Sequence, residues 1–139
     1  MIVLDGGTTA LELARRLPLL YDCTLVTNSP PVASALANHA NAEVMLVGGR
    51  LLKDAQVAVG AAAVEALHTV RADICVLGYV KRAMVASAGE VIALAKADKL
   101  RTASPWVVAQ LADIDYVVSD GSAESTRPYT SAGIDVVAV

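Results

Sequence analysis

Short apolar runs alternate along the chain with segments whose apolar residues recur every three or four positions. The runs are Ile2–Leu4, Thr24–Val26, Glu43–Val47, Asp73–Leu77, Glu90–Ala95, Asp115–Val118 and Asp135–Val139. They are rich in Val, Ile and Leu, and most do not alternate with polar residues. Such runs predict strands buried on both faces, as in a parallel sheet covered by helices. The intervening spacing predicts helices. Thr9–Leu17 sets Leu13 with Leu17, and Ala10 with Ala14, at i,i+4, and Pro18 stops it. Pro30–His39 opens with Ser29 as N-cap and Pro30 at the first helical position. Val57–Val70 reads as a long Ala-rich helix, Lys81–Ala88 and Pro105–Leu111 as shorter ones, and Ser125–Ala132 as a short helix or turn. The alternation predicts a three-layer, doubly wound α/β domain with a mostly parallel sheet.

One connection is short. Residues 79–89 must carry the chain from the strand ending at Leu77 to the one starting at Glu90. That is close to the minimum of about 10–12 residues for a crossover with its helix. Either the wall of the domain is clipped there or residues are absent, and a chain break or sharply abnormal connection is expected close to Gly78–Tyr79.

The chain has 139 residues, which predicts one domain with a core of its own. With 55% apolar and only 18% charged residues, it is not a disordered segment. No apolar run approaches the roughly 20 residues of a membrane helix. The N-terminus lacks the basic stretch of a signal peptide, so a cytoplasmic location is expected. Cys23 and Cys75 lie in strand-like runs and read as small core hydrophobes in a reducing compartment. His39 and His68 fit no ligand spacing with them, so neither a metal nor another cofactor is expected. A net charge of −3 leaves no basic footprint for nucleic acid. A small anion would have to be held by local geometry.

In open α/β sheets ligands bind at the carboxyl ends of the strands. The residues just past each predicted strand are small, hydroxylated or charged: Asp5-Gly6-Gly7-Thr8-Thr9, Thr27-Asn28-Ser29, Gly48-Gly49-Arg50, Gly78, Asp98-Lys99 and Asp120-Gly121. In the first group, glycines permit a tight turn and close approach of the backbone. Free N–H groups at the following helix start, with two Thr hydroxyls, suit a phosphate. A plain turn with a Thr N-cap would also fit. Ser29 could be only a cap, Gly48-Gly49 only a turn, and Lys99 only a solvated lysine. Their joint placement at strand ends favours a binding crevice. The first group is neither G-x-G-x-x-G nor a Walker A loop, which disfavours dinucleotides and nucleoside triphosphates.

Three stretches together carry a resemblance: Ile2-Val3-Leu4-Asp5-Gly6-Gly7-Thr8-Thr9, Leu25-Val26-Thr27-Asn28-Ser29 and Val44-Met45-Leu46-Val47-Gly48-Gly49-Arg50. Their order and spacing resemble the C-terminal sensor domain of DeoR-family bacterial transcriptional regulators, as do Val59-Gly60 and Val80-Lys81-Arg82-Ala83-Met84. The resemblance implies a fold like that of ribose-phosphate isomerase and glucosamine-phosphate deaminase. It implies a sensor for a phosphorylated sugar or related metabolite, whose binding relieves repression. It also implies a homo-oligomer and DNA contact only through an N-terminal helix-turn-helix outside this chain. Asp5, Gly6, Gly7, Thr8, Thr9, Thr27, Asn28, Ser29, Gly48 and Gly49 would line the ligand site. Lys99 matches a family lysine expected near the phosphate or sugar. Its surroundings depart from the pattern: they read Ala95-Lys96-Ala97-Asp98-Lys99, with Lys96 where the family has Asp and Asp98 where it has Ser. The family also usually carries further residues between the counterparts of Gly78 and Tyr79.

A sugar-phosphate isomerase on the same fold is the alternative. It would need a positioned base. Asp5, Asp54, Glu65, Glu90, Asp98 and Asp120 form no obvious pair, and no Ser or Cys–His nucleophile pattern appears.

Overall fold

Apolar β-rich runs and Ala/Leu-rich stretches sort into alternating elements. The computed structural model describes residues 1–18, 22–77, 82–102 and 109–139. In chain order they are β1 (Ile2–Leu4), α1 (Thr8–Arg16), β2 (Cys23–Thr27), α2 (Pro30–Leu36), β3 (Ala42–Leu46), β4 (Arg50–Leu52), β5 (Val57–Val59), α3 (Ala61–Thr69), β6 (Ala72–Leu77), α4 (Arg82–Val85), β7 (Ala88–Leu94), β8 (Tyr116–Ser119), α5 (Ala123–Ser131) and β9 (Asp135–Ala138). Single 3₁₀ turns at Ala97–Lys99 and Leu111–Asp113 separate β7 from β8.

Seven strands form one sheet in the order β3-β2-β1-β6-β7-β8-β9, and every pairing is parallel. The expected α/β architecture is therefore the observed one. Because side chains alternate across a strand, each central strand feeds two layers. Val3, Val26, Cys75, Leu77 and Val91 face Ala63 and Leu67 of α3 and Met84 of α4. Leu4, Leu25 and Val76 face Ala10 and Ala14 of α1 and Val32 and Leu36 of α2. Leu100, Val117 and Ile134 make a third, smaller cluster with Tyr129 of α5.

Four details differ from expectation. Val57–Val70 is not one helix: Val57–Val59 pairs antiparallel with β4, and the helix starts only at Ala61. The β-branched valines favour the strand, and Gly60 at φ +105° turns the chain between the two. The helix after Pro30 stops at Leu36 instead of His39. The helix expected over Lys81–Ala88 is seen over Arg82–Val85, and Ala88 already belongs to β7. The crossover is thus shorter still, residues 78–87. Gly78, Tyr79 and most of the expected Pro105–Leu111 helix lie outside the described residues. No helix among the described residues is long and apolar enough to cross a membrane.

Cys75 illustrates how the core acts on chemistry. It is fully buried, and burial first, then the charge of Asp5, push its thiol up to about 12. A raised thiol pKa means the folded state keeps its proton after the unfolded state, with a reference value of 9.0, has lost it. Stability from this group is therefore present below pH 9 and is lost as pH rises from 9 toward 12. Native protein at pH 8 should leave Cys75 unalkylated by iodoacetamide, and denaturant should make it react; mass spectrometry reads both. Rapid native labelling of Cys75 would contradict this burial.

Candidate functional site

The strand order reverses at β1: the chain steps outward through β2 and β3, then returns to place β6 on the other side of β1. The loop after β1 therefore sits at the topological switch point, where open α/β sheets form their crevice.

Asp5 is buried, and its N–H donates to Val76 O at 3.1 Å, extending the β1–β6 ladder by one step. Gly6 is buried against its neighbours. A Cβ there would collide with Val57 Cγ1 and would lie 3.2 Å from Ser29 Cβ. Gly7 is the opposite case. It is exposed, has φ +110°, and a Cβ there would meet no atom of the described residues within 4 Å. Gly7 is the N-cap of α1 and no side chain caps that helix. The first turn of α1 thus presents Thr8 and Thr9 with uncapped N–H groups beside open space.

The second loop packs directly on the first. Leu4 pairs with Thr27, so the chain beyond them sets Gly6 alongside Ser29. Thr27, Asn28 and Ser29 are all buried. The Ser29 N–H donates to Thr27 Oγ1 at 3.1 Å. Ser29 occupies the N-cap of α2 but does not cap with its side chain, contrary to expectation. Its hydroxyl donates instead to Gln56 O at 3.2 Å, because the β4–β5 hairpin offers that carbonyl from above.

The hairpin is the part that sequence reasoning missed. Ala58 N–H donates to Asn28 O at 2.7 Å, and Asn28 Nδ2 donates to Ala58 O at 2.8 Å. With Val57 against Gly6, three successive hairpin residues lie on the two loops. The signal available in the sequence was the pair of β-branched residues Val57 and Val59 directly ahead of Gly60.

Gly48 and Gly49 lead from β3 into this hairpin. Gly48 has open space around it, whereas a Cβ on Gly49, at φ +154°, would lie 2.7 Å from Val59 O. Close backbone approach explains Gly49 without a ligand. Gly49→Ala should destabilise the chain by about 1–3 kcal/mol from backbone strain alone. Urea unfolding measures this, and a loss below about 0.5 kcal/mol, typical of an exposed neutral site, would contradict the packing seen here.

Lys99 is not tied to these loops by any contact among the described residues. Its side chain is exposed, with its Nζ 3.9 Å from Asp98 in the same 3₁₀ turn. That turn is held to the loop after β8, where Ala97 N–H donates to Asp120 Oδ1 at 2.6 Å. Among the described residues no three His, Cys, Asp or Glu side chains gather as a metal site.

Comparison with known proteins identifies the family. The family model of the DeoR C-terminal sensor domain matches residues 1–80. An HTH-type transcriptional repressor, GlcR of Bacillus subtilis (strain 168), is 32% identical over 136 residues, covering 86% of this chain and 52% of its own. An HTH-type transcriptional regulator, GlpR of Haloferax volcanii, is 32% identical over 157 residues, covering 99% of this chain and 61% of its own. A putative aga operon transcriptional repressor of Escherichia coli O157:H7 is 26% identical over 158 residues, or 99% of this chain and 59% of its own. The chain spans about half the length of the curated relatives it matches, between 52% and 61% of those three. On the family match over residues 1–80, the chain belongs to the DeoR C-terminal sensor domain family.

Proposed function

We propose that this chain is the effector-binding domain of a DeoR-type transcriptional repressor and that its effector is a phosphorylated sugar or related metabolite. The observation that carries the reading is the uncapped start of α1 behind Gly7, open to solvent at the switch point of the sheet. Backbone N–H groups and the helix dipole there favour a phosphate. Thr8 and Thr9 add hydroxyls. Asp5, Gly6, Thr27, Asn28 and Ser29 shape the floor and Gly48 the rim, while Lys99, which makes no contact with these loops among the described residues, would add a point charge from the turn after β7.

The domain does no chemistry in this reading. Effector binding biases one arrangement of the protein over another and so biases attached DNA-binding modules. Contact with DNA goes through a helix-turn-helix outside this chain, as the names of the relatives support. The protein works in the cytoplasm as a homo-oligomer, since two-fold operators require symmetric subunits.

A thermal-shift screen of sugars and their phosphates tests the reading. At 100 times its Kd, an effector stabilises the protein by about 2.7 kcal/mol. A phosphorylated sugar should raise the melting temperature and the free sugar should not. Equal shifts from both would overturn the reading, and turnover of a bound sugar phosphate would replace it with an isomerase.

A further inference from the structure

Within Thr27-Asn28-Ser29, two side chains are already engaged inside the protein. Thr27 Oγ1 accepts from the Ser29 N–H, and the Ser29 hydroxyl donates to Gln56 O. Asn28 differs. Its Nδ2 donates to Ala58 O at 2.8 Å. A carbonyl only accepts, so this bond fixes which way the amide faces. Asn28 Oδ1 is left as the one buried side-chain polar atom without a hydrogen-bond partner among the described residues, on a side chain 1% exposed. A buried acceptor in this state bears its full desolvation cost, and native interiors rarely keep one without a use for it.

We infer that Asn28 Oδ1 is a specificity-determining group: it accepts a hydrogen bond from a hydroxyl or amine of the effector once the β4–β5 hairpin has lifted. The inference rests on the effector-site reading above. Asn28 cannot serve the phosphate through this atom, because a phosphate oxygen and an amide oxygen are both acceptors. The α1 start supplies backbone N–H donors, and the Thr8 and Thr9 hydroxyls there can donate as well. The two loops therefore divide the ligand between them, the phosphate on α1 and the hydroxylated carbon chain on Asn28. Their adjacency is set by the Leu4–Thr27 pairing and by Gly6 packing on Ser29.

The hairpin closes this arrangement. It is pinned at Ala58 by the Asn28 pair and at Gln56 by Ser29, and Val57 lies on Gly6. Gln56 holds a left-handed backbone at φ +52°, which a non-glycine residue seldom adopts. The outer strand β4 is exposed along its length, so lifting has to break the contacts made by Gln56, Val57 and Ala58 and none by the face of β4. While the hairpin is docked, Oδ1 is sealed from solvent. A ligand donor reaching it satisfies that acceptor and exchanges the docked state for a lifted one.

Amide NMR of the ¹⁵N-labelled protein tests this. The probes are inorganic phosphate, glycerol 3-phosphate, ribose 5-phosphate, glucose 6-phosphate and fructose 6-phosphate. All phosphates that bind should shift the backbone amides of Gly7, Thr8 and Thr9. Only hydroxyl-bearing ones should also shift the Asn28 side-chain amide and the Ala58 N–H. Asn28→Ala should weaken the sugar phosphates about ten-fold and inorganic phosphate less than about two-fold, the loss of one hydrogen bond. Sugar phosphates that shift Gly7–Thr9 but leave Asn28 and Ala58 unmoved would overturn the inference and leave the phosphate reading standing. No shift of Gly7–Thr9 by any probe would overturn both. If Asn28→Ala fails to fold, the wild-type spectra decide alone.

Discussion

Gly7→Val is expected to abolish binding of a sugar phosphate while leaving most of the fold in place. A Cβ at Gly7 meets no atom within 4 Å among the described residues, so the first carbon of the new side chain is accommodated there. It would fill the volume that a phosphate needs to reach the α1 N–H groups. Each hydrogen bond to a charged group is worth about 1.5–3 kcal/mol. Losing two of them lowers affinity by about two to four orders of magnitude. The substitution also carries a cost to the domain, because φ +110° is a backbone conformation that glycine tolerates and valine resists. That strain should lower stability by about 1–3 kcal/mol. Calorimetry measures the first effect and urea unfolding the second. Normal affinity in a folded Gly7→Val protein would remove α1 from the site.

Leu25→Ala is expected to lower stability by about 2–5 kcal/mol, the usual range for a leucine deleted from a core. Leu25 is fully buried in β2, and its layer includes Ala10 and Ala14 of α1 and Val32 and Leu36 of α2. Neither helix can collapse into the cavity easily, since α1 and α2 are anchored by the loops at Gly6–Gly7 and Thr27–Ser29. The loss therefore falls on the elements that carry the site. Urea unfolding should show a lower midpoint with an unchanged slope. A change below about 1 kcal/mol would mean that the layer repacks more freely than its burial indicates.

The parallel sheet was legible because its strands are continuous apolar runs. β1 matches the predicted Ile2–Leu4, and β2 and β3 lie within a residue of their predictions at each end. The hairpin was not legible. Val57–Val59 is too short to show a period of two, and the alanines after Gly60 extend a helical pattern back across it. What holds β5 in place is long-range: the pair between Ala58 and Asn28, and the Gln56 carbonyl on Ser29. Local periodicity carries no trace of such contacts. For the same reason the sequence assigned Ser29 to capping, which is a local role, when the structure gives its hydroxyl to the hairpin. The glycines were legible as a group but not individually. Only the structure separates Gly6 and Gly49, which admit close packing, from Gly7, which faces open space.

The short connection after β6 was visible as a count and remains so. The family match ends at residue 80, inside that crossover. The alignment with the Haloferax regulator is 157 residues long, although this chain has 139 in all, so that relative carries residues with no counterpart here. β6 borders β1 at the switch point, so this shortening falls beside the candidate site.

A crystal structure with a bound sugar phosphate, at a concentration near its measured Kd, tests the central claim most directly. The account predicts the phosphate within hydrogen-bond distance, about 2.7–3.2 Å, of the N–H groups at Gly7, Thr8 and Thr9. Electron density for the ligand elsewhere, for instance in the groove between α1 and α2 lined by Arg15, Ser34 and His39, would contradict it.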